Sequence, residues 1–318
     1  MEYRILGRTG VKVSSLCFGT MTFGREADEA TSIKMFHRCR DAGINFFDTA
    51  DRYGAGTSET ILGKCIAEGR EKIILSTKVG NPVGDDVNDR GLSRRHIMSS
   101  VEKSLKRLGT DYIDLYFLHS YDPKTSIGET LSVLKVLQRQ GKVSYIGASN
   151  WSAWQIAKAI GLSELKRMLR FECIQPMYNL VKRQAEVEIF PLAEEENLGV
   201  ITYNPLAGGL LTGKYINKDN LLQGRILEDK LYERRYANPA YYEIAEKLVS
   251  YAKGHGSNPA VLAVAWVMSN PVVTAPIIGA RNLKQLKQTL AALEIEMTPE
   301  MRKEISALSI TPPEATDR

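Results

Sequence analysis

The sequence predicts an α/β chain closed into a (β/α)8 barrel, and three observations carry that prediction. Short apolar runs alternate with amphipathic ones along the whole 318 residues. Run after run ends in a polar or titratable group, as when INFFD closes on Asp48, KIILSTK on Lys78 and YIDLYFLH on His119. The first run is followed by GTMTFG rather than G-x-G-x-x-G, which disfavours an open dinucleotide-binding sheet. The nearest partial match to that motif, Gly54-Ala-Gly56-Thr-Ser-Glu59, lacks its third glycine.

Taken in order, residues 2–15 read as a hairpin turning at Gly7–Gly10. Eight strands follow, at 16–19, 44–48, 72–77, 112–118, 143–148, 171–176, 199–204 and 274–279. Each is rich in Ile, Leu, Val, Phe or Tyr without strict alternation, as expected of strands buried on both faces. Helical patterns occupy about 27–42, 57–68, 93–108, 127–140, 152–169, 183–197, 240–254, 258–269, 282–294 and 299–308, so extra helices gather near the C-terminus. Thr57 or Ser58 suits the N-cap of the second helix, Ser93 that of the third, and Thr298–Pro299 the start of the last. Gly43, Gly69, Gly109 and Gly141 stand where helices end and a left-handed residue is wanted. Strict alternation implies parallel strands with helical crossovers, and eight units favour closure of one domain over 1–318.

The connection after the seventh strand, about 205–239, is long and carries Gly208, Gly209, Gly213, Gly224 and Pro239. It is too rich in Leu and Tyr for simple disorder and reads as a lid over a bound ligand. Within it, Gly208 to Tyr215 fits G-x-x-x-x-G-K, but tyrosine stands where a P-loop needs Ser or Thr, so a nucleoside triphosphatase is not expected.

Net charge is +5 and the isoelectric point about 8.9, with no dense basic cluster. LKRLG (105–109) and RMLR (167–170) read as solvated helix faces, so a nucleic-acid surface is not expected. The mild positive bias suits a phosphate-bearing small molecule. Cys17, Cys39, Cys65 and Cys173 are scattered without metal-ligand spacing and read as reduced thiols. No signal-like or membrane-spanning apolar stretch is present, which points to a cytoplasmic protein without a membrane partner. Oligomeric state is not legible.

In a barrel all strand C-termini point to one face. That face collects Asp48, Lys78, His119, Ser149–Asn150, Gln175 and Tyr203–Asn204, spaced 25 to 41 residues apart, about one strand–helix unit each. Singly, each has a plain structural explanation: a core histidine, a paired lysine, a loop cap. His37, His96 and His255 are read that way, as surface or helix residues. Together the ring suggests acid chemistry at a carbonyl. Tyr53 supplies a proton, a Lys78 ammonium lowers its pKa, Asp48 keeps that ammonium charged, and His119 orients the oxygen. Asn150 and Gln175 suit a carboxamide, and Tyr203 a flat heterocycle.

These residues resemble the aldo-keto reductases along nearly the whole chain. FDTADRYGAGTSE (47–59), STK (76–78), LHS (118–120), GASN (147–150), YNPLAGGLLTGKY (203–215) and PIIGARNLKQL (276–286) are similar to that family's signature segments. The long loop is closest to the branch holding potassium-channel β subunits and bacterial general reductases. The resemblance implies a (β/α)8 barrel that reduces aldehydes or ketones with NADPH, with Asp48, Tyr53, Lys78 and His119 as catalytic tetrad. It further implies that Ser149, Asn150 and Gln175 hold the carboxamide while Tyr203 stacks on nicotinamide. Leu206, Gly208, Leu210, Lys214 and Arg225 fall on the pyrophosphate segment; Gly279, Arg281, Gln285 and Gln288 fall on the adenosine segment. Asp48, Gly19, Thr20, Asn204 and Pro205 join this cofactor set. Arg281 suits a 2′-phosphate and so favours NADP over NAD. Thr289 departs from the asparagine common near the adenine.

Met21, Phe23, Tyr121, Trp151 and the loop 81–90 are expected to wall a small-molecule carbonyl pocket. Asp85, Asp86 and Asp89 in that loop weigh slightly against an anionic substrate. Two rival readings are a cofactor-sensing regulatory subunit with slow turnover and a Schiff-base aldolase using Lys78, the latter opposed by Asp48.

Overall fold

The computed structural model describes residues 1–216 and 224–316. A two-stranded antiparallel hairpin, β1 (Tyr3–Ile5) and β2 (Lys12–Ser14), leads into the first barrel strand, β3 (Cys17–Gly19). Seven more strands follow: β4 (Phe46–Asp48), β5 (Ile74–Val79), β6 (Ile113–Leu118), β7 (Val143–Ser149), β8 (Phe171–Gln175), β9 (Gly199–Tyr203) and β10 (Ala275–Ile278). They form a closed barrel of parallel strands in chain order. Closure is made by β10 on β3, with Ile277 opposite Cys17 and Ile278 opposite Phe18.

The strand alternation sets which side chain faces which layer. On β6, Leu115 and Phe117 enter the barrel interior with Phe46, Cys173, Ile201 and Ala275. Tyr116 and Leu118 point outward into the layer beneath the helices. The same alternation on β4 turns Phe46 inward, Phe47 outward and Asp48 inward at the strand's top. The barrel is thus filled from below by apolar side chains and capped above by polar ones.

The hairpin closes the lower end. Leu6 belongs to the interior cluster, and Gly7 sits against the strand bottoms at φ +53°. A Cβ there would lie 2.7 Å from the Glu172 carbonyl oxygen and the Gly199 nitrogen, so only glycine fits.

The outer ring begins with α1 (Glu29–Asp41), α2 (Thr57–Ile66), α3 (Arg94–Leu108), α4 (Ile127–Arg139) and α5 (Ala153–Leu165). It continues with α6 (Ile189–Glu195), α7 (Arg225–Glu228), α8 (Lys230–Arg235), α9 (Pro239–Gly254), α10 (Pro259–Met268), α11 (Leu283–Leu290) and α12 (Pro299–Ala307). Ser93 caps α3 and Thr298 caps α12, with Pro299 at the first helical position. Gly43, Gly69, Gly109 and Gly141 all adopt positive φ.

Two expectations need correcting. Neither Thr57 nor Ser58 caps α2; the N-cap is Gly56 at φ +93°. Ser58 is drawn elsewhere: its Oγ donates to the Thr20 carbonyl at 2.8 Å and contacts the hydroxyls of Thr20 and Thr49. The stretch read as irregular from 205 to 239 also contains a 3-10 turn (Ala207–Thr212), α7 and α8. Glycines at 208, 209, 213 and 224 masked the short helical patterns. Residues 217–223 of that stretch lie outside the described residues.

Candidate active site

Asp48, Lys78 and Gln175 each occupy an inward position near the C-terminal end of a strand, so the sheet places them at one mouth. The Lys78 side chain is fully buried. Its Nζ donates to Asp48 Oδ2 at 2.5 Å, to the Thr49 carbonyl at 2.7 Å and to Tyr53 Oη at 3.5 Å. Three donors thus meet three acceptors, the condition for keeping a charge away from water. Burial is the largest single influence and disfavours the ammonium, but Asp48 and Tyr53 together outweigh it, so the Lys78 pKa stands above its ordinary value. The carboxylate is likewise saturated: Asp48 Oδ1 accepts from Ser76 Oγ at 2.7 Å and Gln175 Nε2 at 3.1 Å.

Tyr53 follows β4 on a short 3-10 turn (Tyr53–Gly56) in which Gly54 and Ala55 adopt positive φ. The ammonium lowers its pKa as expected, yet the net shift is upward, because burial of the phenol dominates and Asp48 adds to it. The group is therefore a protonated phenol through the neutral range. His119 stands edge-on to it, ring centroids 5.9 Å apart. Burial, then the charges of Lys78 and Arg52, push its pKa well below the usual histidine range, so the imidazole is neutral. Its Nδ1 is buried without a partner.

The amide residues extend this network. Asn150 holds a left-handed φ of +58°. Its Nδ2 donates to the His119 carbonyl at 2.9 Å and to Ser149 Oγ at 3.0 Å, while its Oδ1 accepts from Tyr203 Oη at 2.7 Å. Ser149 Oγ in turn donates to the Gln175 carbonyl. Asn204 is also left-handed, at φ +66°, and its Oδ1 accepts the Gly208 amide at 2.8 Å. Such backbone, uncommon outside glycine, is a frequent companion of ligand sites.

Cations converge further along the mouth. Arg281 pairs with Glu228 at 2.7 Å and Arg225 with Glu26 at 3.1 Å. The Lys214 pKa is pushed down by burial and then by neighbouring Arg281. Three cations crowded on two carboxylates leave an excess of positive charge suited to a phosphorylated ligand. Gln285 supports the group by accepting the Arg281 amide at 2.9 Å. Pro205 and Leu210 are buried, whereas Leu206, Gly208 and Gln288 are half-buried. A Cβ on Gly19 would lie 2.6 Å from the Ile277 side chain, and Gly279 is exposed beside the Gly19 carbonyl.

Some predicted residues take structural posts. The Thr20 hydroxyl is buried on Ser58 and the Asp48 carbonyl. Phe23 is fully buried against Phe18. Trp151 is buried against Phe171 and Tyr121, while Met21 and Tyr121 are half-buried. Thr289 is buried and donates to carbonyls of its own helix.

Other participants escaped sequence reasoning: Thr49 and Ser76 on the tetrad, Glu26 and Glu228 on the arginines, Trp154 beside Tyr121, and Asp51. Asp51 lies inside FDTADRY, where its neighbours drew all the attention. Its carboxylate oxygens are buried without partners, and its pKa rises to about 7, chiefly through burial and then the nearby charge of Glu59. Among the described residues no helix is long and apolar enough to cross a membrane.

A buried ion pair behind a phenol, a neutral imidazole beside it and a cationic arm leading away also have counterparts among known proteins. The Aldo/keto reductase family model matches residues 15–310. An uncharacterized oxidoreductase, YrpG, of Bacillus subtilis is 42% identical over 95% of this chain and 94% of its own. A probable voltage-gated potassium channel subunit beta of Arabidopsis thaliana is 37% identical over 93% and 92%. The aldo-keto reductase YhdN of Bacillus subtilis is 34% identical over 97% and 93%. With its barrel, its mouth and these relatives in agreement, the chain belongs to the aldo/keto reductase family of carbonyl-reducing oxidoreductases.

Proposed function

We propose that the protein reduces aldehydes or ketones to alcohols at the expense of NADPH, with Tyr53 as general acid. The observation that carries this reading is the Lys78 ammonium, fully buried on Asp48 and reaching the Tyr53 hydroxyl. When bound, the reduced dinucleotide supplies the hydride to the carbonyl carbon. Tyr53 gives its proton to the carbonyl oxygen, and Lys78 stabilises the phenolate left behind. Neutral His119 has one N–H to orient that oxygen. Solvent then reprotonates Tyr53.

Ser149, Asn150 and Gln175 would hold the carboxamide and Tyr203 the ring. Lys214 and Arg225 would hold the pyrophosphate. Arg281, with a planar guanidinium, would hold a 2′-phosphate and so select NADP. The partly engaged amides, the left-handed Asn150 and the crowded cations support this fit. Tyr53→Phe removes the proton donor and is expected to cost about 10²–10⁴ in turnover. NADPH oxidation monitored with a panel of aldehydes tests this; a variant as fast as the parent would remove Tyr53 from the role.

The likeness to channel β subunits favours a second reading, a cofactor-binding regulatory subunit with slow turnover. Retention of NADPH without oxidation by any carbonyl in the panel, together with a co-purifying membrane partner, would select it.

A further inference from the structure

The connection after β9 leaves the barrel at Asn204 and reaches Tyr236 just before α9 begins. One phenol joins these two ends. Tyr236 is fully buried, and its hydroxyl accepts from Asn204 Nδ2 at 2.5 Å and from Asn179 Nδ2 at 3.3 Å while donating to Met177 Sδ at 3.6 Å. A tyrosine hydroxyl has one proton to give and two lone pairs, so every capacity is used. Asn179, also fully buried, adds a second tie by donating to the Asn204 carbonyl at 3.0 Å. Met177 and Asn179 belong to the segment after β8, so the hydroxyl gathers the start of the connection, its end and a neighbouring barrel loop at one point.

These bonds fix the Asn204 amide in one sense. Its Oδ1 accepts the Gly208 N–H at 2.8 Å. A backbone N–H can only donate, so Nδ2 must face Tyr236 and the hydroxyl must accept it. Turning the amide over would set donor against donor at Gly208. Asn204 is thereby held at φ +66°, and the 3-10 turn at Ala207–Thr212 starts from a set place. Tyr215 acts differently. Its hydroxyl meets the Gly208 carbonyl at 3.4 Å and the Ile226 amide at 3.2 Å, which ties the connection to itself. Tyr236 ties it to the barrel. Fixing a loop in advance removes an ordering cost from binding.

We propose that Tyr236 is a positioning residue for the dinucleotide: its hydroxyl clamps Asn204 and so sets the Ala207–Thr212 turn where the pyrophosphate lies. This rests on the reductase reading and its assignment of the cofactor segment. The Gly208 N–H is already engaged by Asn204, so the clamp acts through the path of the turn and not through that donor. Without the hydroxyl, two amide groups lose an acceptor that no solvent replaces, and the Asn204 side chain is no longer locked.

The test compares Tyr236→Phe with the parent and with Tyr178→Phe. Tyr178 is also fully buried, but its hydroxyl meets Glu186 at 2.5 Å and Asn270 at 3.1 Å, neither of them in the connection. Hydrogen exchange of the Gly208 amide without cofactor and the NADPH dissociation constant are measured where all three proteins are folded. Both are expected to rise about 5- to 100-fold in Tyr236→Phe, the cost of an unmatched buried donor, and to stay within about twofold in Tyr178→Phe. KM for NADPH should rise with the dissociation constant while kcat at saturating NADPH does not fall. Exchange and affinity that match the parent, or equal changes in the two variants, overturn the proposal. Should Tyr236→Phe fail to fold, the parent decides: protection of Gly208 without cofactor supports the clamp, and exchange at the rate of an unstructured peptide overturns it. If the parent does not bind NADPH, it is the cofactor assignment that fails, whereas Gly208 exchange in the variant still reports on the clamp.

Discussion

Replacing Asp51 by asparagine isolates the cost of a buried carboxylate. Asp51 is only 4% exposed and neither of its oxygens has a partner. Its carboxyl loses its proton at about pH 7 in the folded chain, against a reference of 3.8. Folding therefore retains a proton that the unfolded chain releases, and stability falls as pH rises from about 4 through about 7. At 1.36 kcal/mol per pH unit the penalty is roughly 1.5 kcal/mol at pH 5 and roughly 4 kcal/mol at pH 8. Asparagine has the same shape and no proton to lose. Its unmatched amide adds a cost that is constant with pH. The stability difference between Asp51→Asn and the parent should thus move in the variant's favour by about 2.5 kcal/mol from pH 5 to pH 8. Urea unfolding at several pH values, with cofactor absent, measures it. A difference that stays constant over that range would refute the claim that Asp51 ionises against burial.

Two further outcomes follow from the site. Because His119 is neutral and Tyr53 protonated throughout the neutral range, kcat/KM for reduction of an uncharged aldehyde should show no limb near the ordinary histidine pKa of about 6.5. A pH–rate profile with an inflection there, still present in Asp51→Asn, would contradict the neutral imidazole. Arg281→Gln should weaken NADPH binding about 10- to 100-fold, the loss of a charge-assisted contact, and leave NADH nearly unchanged. Fluorescence titration with both cofactors decides this, and equal losses would detach Arg281 from the 2′-phosphate.

The barrel was legible because its strands are buried on both faces and announce themselves as unbroken apolar runs. Eight runs at 16–19 through 274–279 correspond to β3 through β10, with ends shifted by a residue or two. The polar residues ending those runs were legible for the same reason, since Lys78 and Gln175 interrupt patterns that burial otherwise makes uniform. The helices α7 and α8 were not. They are four and six residues long, too short for a periodic signal, and their packing on the 3-10 turn at Ala207–Thr212 decides them. Pairings across the chain were equally hidden. Glu26 and Arg225 stand 199 residues apart, and nothing local in either segment specifies the other. The direction of the Tyr53 shift depends on how deeply the phenol is covered, a quantity no spacing conveys.

Closure of β10 on β3 has a consequence for how the molecule comes into being. The strand that completes the cylinder is the last in the chain and pairs with the first, across more than 250 residues of sequence. Such contacts form only after the intervening loops have been ordered, which slows folding. Until residues 275–278 arrive, a growing chain carries two unpaired strand edges, at Cys17–Gly19 and Gly199–Tyr203, both open to pairing with other chains. Asp48 and Arg281 lie on opposite sides of that seam in sequence. The reacting end and the cationic end thus become one site only in the final step of assembly, and a chain cut short before β10 would be an aggregation hazard rather than a weaker version of the whole.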